Sequence, residues 1–138
     1  MQFSQLVPLV GGLLLSQGSF VAAEAGFAGS CIQNSFRLNT HGDFEAICST
    51  RDPAYHERSN INLNLCIVHR DADILPGDNG NFMASCRLVG LRGRSIEAVC
   101  PDAMGVNVTT ELDLNTVLFN SDGILACFGH YGQSLGHA

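Results

Sequence analysis

Three sets of residues in this 138-residue chain have types and spacings that could do chemistry. The first is Gly132-Gln133-Ser134-Leu135-Gly136, a G-x-S-x-G run of the kind that presents a nucleophilic serine. Such a serine needs a strand before it, a helix after it, and an acid and a histidine further on. Only His137 and Ala138 follow, so the match is read as accidental. The second set is two carboxylate pairs, Asp43 with Glu45 and Asp71 with Asp73. Glycoside hydrolysis needs two carboxyls roughly 5–10 Å apart across a sugar. An i, i+2 spacing on a turn or strand equally describes a solvated edge, and nothing in the sequence sets either pair around a cleft. The expectation is a protein without catalysis. The third set is six cysteines and five histidines. No C-x-x-C or H-x-x-x-H spacing of a metal site occurs, and His41, His56, His69, His130 and His137 are scattered. Neither a metal nor any other cofactor is expected.

The cysteines belong to a larger pattern. Cys31 and Cys48 are followed by Ile61-Asn62-Leu63-Asn64, and Cys86 and Cys100 by Leu112-Asp113-Leu114-Asn115, an offset of about fifty residues. Two tandem copies of one small supersecondary unit produce such a period. The second copy carries Asn120-Ser121-Asp122-Gly123, a type I′-like hairpin signal, where the first has His69-Arg70-Asp71-Ala72. An even cysteine count in a small exported chain reads as a disulfide framework. Six cysteines allow fifteen pairings, and the repeat favours Cys31 with Cys48 and Cys86 with Cys100. Each closes a local loop, worth about 3 kcal/mol in the loop-entropy account. Cys66 and Cys127 remain as a long-range third pair.

Residues 1–23 carry no charged side chain and hold an apolar run from Leu6 to Leu15, broken only by Pro8 and two glycines. This segment is read as a signal peptide, with small residues at Val21 and Ala23 fitting cleavage after Ala23 and Ala23 with Ala25 offering a second site, and as too short and too glycine-rich to span the roughly 20 residues a bilayer needs. The rest, 24–138, suffices for one domain of modest core, expected as secreted and extracellular. The chain has no lysine, and seven arginines stand against 13 acidic residues for a net charge of −6. Without a basic patch there is nothing to displace counterions from a phosphate backbone. Nucleic acid is therefore not expected as a partner, anionic membranes are disfavoured for the same reason, and no membrane insertion is expected.

Short alternating segments bounded by Asn, Gly and Asp give strand signals at Ser35–Leu38, Phe44–Ile47, Ser85–Val89, Ser95–Val99 and Ile124–Cys127. No window of a dozen residues sustains a helical period. Leu63–Ile67 and Leu114–Leu118 suit single 3₁₀ turns, with an Asn clamping side chain to backbone. The expected architecture is all-β, with two pseudo-symmetric repeats (about 26–82 and 83–129) in one compact domain and a flexible tail over 130–138.

The residues also carry a resemblance. Gly26-Phe27 leading to Ser30-Cys31, the Asn-Leu-Asn and Asp-Leu-Asn turns, Asp78-Asn79-Gly80-Asn81-Phe82 leading to Ser85-Cys86-Arg87, and Asn120-Ser121-Asp122-Gly123 occur in an order that resembles the cyanovirin-N homology family, its fungal members above all. The resemblance covers about residues 26–129. It implies a β-rich domain with strands exchanged between repeats, the first two disulfides named above, and sugar pockets at opposite ends. It also implies non-catalytic binding of mannose-type oligosaccharides, with glycans or glycoproteins as partners. Asn amides, carboxylates and hydroxyls held by tight turns suit sugar hydroxyls, because pre-organisation lowers the ordering cost.

Carried over by position, the resemblance implies a primary pocket of Gly29, Ser30, Ser49, Arg51, Asn120 and Asp122. The opposite pocket would use His69, Asp71, Asn81, Ser85 and Asp102. There Val68, Ala72, Ala84, Pro101 and Ala103 replace polar or glycine positions of the family pattern, so this second site is expected to be weakened or repurposed. Asn and Asp also serve hairpin turns whether or not a sugar comes. The alternative is a secreted protein-interaction or effector-like module that has lost sugar binding on the same fold. Asn107-Val108-Thr109 is an N-glycosylation sequon. Either a monomer or a dimer swapped about a hinge at 67–73 fits the sequence.

Overall fold

A computed structural model describes residues 25–138, so the expected signal segment lies outside the described residues. The first repeat runs through 3₁₀ turns η1 (Phe27–Gly29) and η2 (Gln33–Ser35) and strands β1 (Arg37–Leu38), β2 (Asp43–Ser49) and β3 (His56–Asn62). Turn η3 (Leu63–Leu65) and a hairpin of β4 (Ile67–Arg70) and β5 (Asp73–Pro76) complete it. The second runs through η4 (Phe82–Ala84), β6 (Arg87–Arg92), β7 (Ser95–Pro101), β8 (Asn107–Asp113), η5 (Leu114–Thr116), β9 (Phe119–Ser121) and β10 (Ile124–Cys127). Strands β11 (His130–Tyr131) and β12 (Gln133–His137) follow. The all-β architecture with short 3₁₀ turns is as expected from the sequence.

Alternation explains the central strands. β2 buries Phe44, Ala46 and Cys48, and β7 buries Ile96, Ala98 and Cys100, every second residue in each case. Phe27, Phe36 and Phe44 pack together with ring centroids 5.2 to 5.7 Å apart. In η3 and η5 the side chains of Asn62 and Asp113 accept the amides of Asn64 and Asn115, which ends the strand and starts the turn.

The sheets are ordered β12-β3-β2-β1 and β6-β7-β8, beside the smaller groups β4-β5 and β9-β10-β11. The hairpins are exchanged: β4–β5 of the first repeat packs through β5 on β8, and β9–β10 of the second packs through β10 on β3. Two buried polar residues fasten the exchange. Ser59 Oγ accepts the Leu125 amide at 2.9 Å, and Thr110 Oγ1 donates to Asp73 at 3.4 Å. Disulfides join Cys31 to Cys48, Cys86 to Cys100 and Cys66 to Cys127. The third links the end of η3 to the end of β10 and so ties one repeat to the other.

Two expectations are corrected. Residues 130–138 are extended and paired, with Cys127 opposite His130 and Gln133 opposite Asn60, where a flexible tail was expected. The outer edge of β3 presents free backbone groups, and pairing to them requires no apolar pattern. Residues 67–73, expected as a hinge, lie in the β4–β5 hairpin. The connection between repeats is instead Gly77–Gly80, pressed against β4 so closely that a Cβ on Gly80 would lie 2.3 Å from the Ile67 carbonyl oxygen. The second repeat opens at Asn81, whose left-handed backbone matches that of Gly26.

Candidate functional site

The β9–β10 hairpin closes through Asp122 and Gly123, with φ of 51° and 96°. Two positive φ values give the type I′ turn that the Asp-Gly sequence favours. A Cβ on Gly123 would lie 2.6 Å from Glu57 Cβ and 2.9 Å from Thr50 Cγ2, so the turn tip is seated on β3 and the loop before it. From this tip Asp122 accepts the Arg51 amide at 2.7 Å. Asn120 donates to Ser30 Oγ at 2.9 Å and to the Ser49 carbonyl at 3.0 Å, and its Oδ1 accepts the Gly123 amide at 2.7 Å.

The structure thus brings Ser30, Ser49, Arg51, Asn120 and Asp122 together. Gly29 ends η1 beside Ser30 and makes no side-chain contribution. Both amide hydrogens of Asn120 are occupied within the protein, which makes it a positioning residue. The groups left facing outward are the second Asp122 oxygen and the exposed Arg51 side chain, while the exposed Ser30 hydroxyl accepts from Asn120 and lies 3.5 Å from the Phe27 carbonyl.

The opposite end repeats the plan with different chemistry. His69 stands where Asn120 stands, with Nδ1 2.6 Å from Ser85 Oγ and Nε2 2.9 Å from the Pro101 carbonyl. The carbonyl acceptor assigns the proton to Nε2, and Ser85 donates to Nδ1. Asp71 accepts the Ala103 amide at 3.0 Å, as Asp122 does that of Arg51. Asp102 is turned into its own loop and accepts the amides of Met104 and Val106. Asn81 donates its backbone amide to the Asn64 carbonyl and bridges Val68. Where the first end has the cationic Arg51, the second has Ala103, followed by Met104 and Val106, 86% and 58% exposed.

One open depression of about 490 Å³ includes the Asp122 turn, and is lined by Thr50, Arg51, Asp52, Tyr55, Glu57, Asp122 and His137. Tyr55, Glu57 and His137 escaped the sequence reading. Only the docking of β12 on β3 makes His137 a neighbour of Tyr55, and no local pattern announces it.

The catalytic spacings meet structural partners instead. Ser134 lies in β12 and donates to Glu57, whose other oxygen is 3.6 Å from His137 Nε2. Here the carboxylate stands in the middle, whereas a nucleophilic triad needs the imidazole there. Asp43 is held by Asn62 and Asn39, Glu45 by Arg58, and Asp73 by Thr110. Hydrogen bonds from Asn62, then from Asn39, hold the Asp43 carboxyl below its usual value of 3.8. His69 lies near the sulfurs of Cys86 and Cys100, which are bonded to each other and offer no thiolate.

No protein-family model matches the chain, and no curated protein matches it. Solved structures do. A MoCVNH3 variant in complex with (N-GlcNAc)4 superposes with a TM-score of 0.66 at 16% identity, covering 76% of this chain and 98% of the other. The CVNH protein of Gibberella zeae gives 0.61 at 21% identity, covering 75% and 98%. The microvirin complex with mannobiose gives 0.55 at 23% identity, again covering 75% and 98%. At these identities the likeness is one of fold.

Proposed function

From the cyanovirin-N homology fold that this chain has, we propose that it is a secreted, non-catalytic lectin for neutral oligosaccharides of the mannose type. The observation that carries the reading is the Asp122–Arg51 bond. It fixes the Asp122 carboxylate against the Arg51 backbone amide at one edge of an open depression that the exposed Arg51 side chain also lines, on a turn that Asn120 and Gly123 make rigid. Adjacent sugar hydroxyls both donate and accept, so a fixed carboxylate acceptor with a guanidinium donor beside it suits them, and the held turn lowers the ordering cost. Ser30 and Asp122 bind directly, Arg51 donates from the rim, and Ser49, Gly29 and Asn120 shape the turn.

The second end, with His69 closed onto Ser85 and Pro101, is the weaker site. Its exposed Met104 and Val106 favour protein contact there over sugar contact, the one observation that supports an interaction module as second reading. Three disulfides suit an oxidising compartment. Asn107 is exposed at the start of β8, where a glycan on its sequon can extend into solvent.

The test is a glycan array of the oxidised protein beside Asp122→Ala, spanning mannose and N-acetylglucosamine oligomers because similar folds are solved with both. Binding to mannose-type glycans that Asp122→Ala abolishes supports the proposal. A folded wild type that binds no glycan overturns it.

A further inference from the structure

We propose that Tyr55 and His137 form an aromatic platform for a second sugar ring beside the Asp122 turn, so that the site takes an oligosaccharide rather than a single ring. The inference rests on the lectin reading and deepens it. Tyr55 is 46% exposed, and its ring stacks on that of His137 with centroids 4.5 Å apart and planes 32° apart. Both rings line the depression that Asp122 and Arg51 border.

The platform is built in advance of any ligand. Thr50 Oγ1 lies 2.9 Å from the Asp52 carbonyl and 3.1 Å from that of Tyr55, and the Tyr55 amide donates to the Asp52 carbonyl at 3.0 Å, which fixes the loop. His137 pairs with Glu57 across β12 and β3, and the Ala138 amide donates to the His56 carbonyl at 3.0 Å. Glu57 holds β12 a second time through the Ser134 hydroxyl. Stacked on each other and held from two separate elements, the two rings brace one outer aromatic face flanked by acceptors. A pyranose has the matching form, with an apolar face of C–H bonds and a rim of hydroxyls. Asp52, Glu57 and Asp122 surround the rings against the one guanidinium of Arg51. That balance admits a neutral sugar and repels one bearing a carboxylate or sulfate.

The experiment uses the oxidised chain with Tyr131→Phe. The sequence has two tyrosines and no tryptophan, so Tyr55 becomes the sole fluorescent reporter. Mannose and N-acetylglucosamine monomers and tetramers are titrated into this protein and into Tyr55→Ala, Tyr55→Phe and Asp122→Ala forms, with calorimetry for affinity. The expected result is a change in Tyr55 emission on tetramer binding. Tyr55→Ala then weakens the tetramer about 10-fold while the monomer stays within about 2-fold, and Tyr55→Phe stays within about 2-fold for both. A wild type that binds no glycan removes the lectin reading and the platform with it. A wild type whose binding Asp122→Ala abolishes, with tetramer affinity unmoved in a folded Tyr55→Ala form or with Tyr55 emission unchanged at saturation, overturns the platform alone.

Discussion

Asn115 Oδ1 accepts the amide of Ala28 at 2.9 Å across 87 positions of sequence. Its own carbonyl takes the Gly26 amide at 2.8 Å. Asn64 does the same for the other repeat, accepting the Met83 amide at 3.0 Å and, through its carbonyl, the Asn81 amide at 2.8 Å. Each Leu-Asn turn therefore secures the opening 3₁₀ turn of the repeat to which it does not belong.

Replacing Asn115 by Ala leaves the part-buried Ala28 amide without a partner and loosens η1, which carries Ser30 into the candidate site. An unmet buried donor costs about 1–3 kcal/mol. Denaturant unfolding is expected to show that loss for Asn115→Ala and less for Asn115→Asp, which keeps the acceptor oxygen.

Gly123→Ala is expected to be worse than its size suggests. The added methyl meets Glu57 and Thr50 at the distances given above, in a backbone conformation that itself costs an L-residue about 1–2 kcal/mol. The tip must lift from β3, so thermal stability and glycan affinity fall together. An unchanged melting temperature would show that the tip is not seated as described.

Removing the Cys66–Cys127 bridge as the double Ala variant opens a closure 61 residues apart in sequence. The loop-entropy relation gives about 4 kcal/mol for that length, the largest of the three. Both residues are fully buried, so the double variant also leaves a cavity and its total loss is expected to exceed that figure; equilibrium unfolding under oxidising conditions measures it.

Acid acts through Asp43. Its carboxyl is held below the usual 3.8 by the hydrogen bonds from Asn62 and Asn39. A folded-state value below the unfolded one contributes stability that is complete above the unfolded value and is lost as pH falls through the folded one. Stability is therefore expected to decline from about pH 4 downward, and less steeply in Asp43→Ala. Unfolding midpoints measured across that range in both proteins decide it.

The repeats, the local disulfides and the two 3₁₀ turns were legible because short-range features encode them: cysteine spacing, and Asn or Asp placed to accept the amide two residues on. Strands β3 and β8 were not. His56–Asn62 and Asn107–Asp113 are mostly polar, and their buried polar positions, Ser59 and Thr110, are occupied by hydrogen bonds to the exchanged hairpins. Nothing apolar marks those positions in the sequence. Strand β12 was illegible for a different reason: all five of its residues are exposed, so it is held by backbone pairing and by Glu57, not by a buried face. The polar turn of the candidate site could be read from Asn120 to Gly123, whereas Tyr55 and His137 meet only once the chain's last strand is docked.

The exchanged hairpins have a consequence for how the molecule forms. β3 cannot fasten its partner until β10, more than sixty residues later in the chain, has been made, and β5 likewise waits on β8. Neither half can gain its full contacts and wait for the other. Folding is paced by distant closure and belongs among the slow, non-local cases. During synthesis the first half emerges with Ser59 unmet until β10 follows.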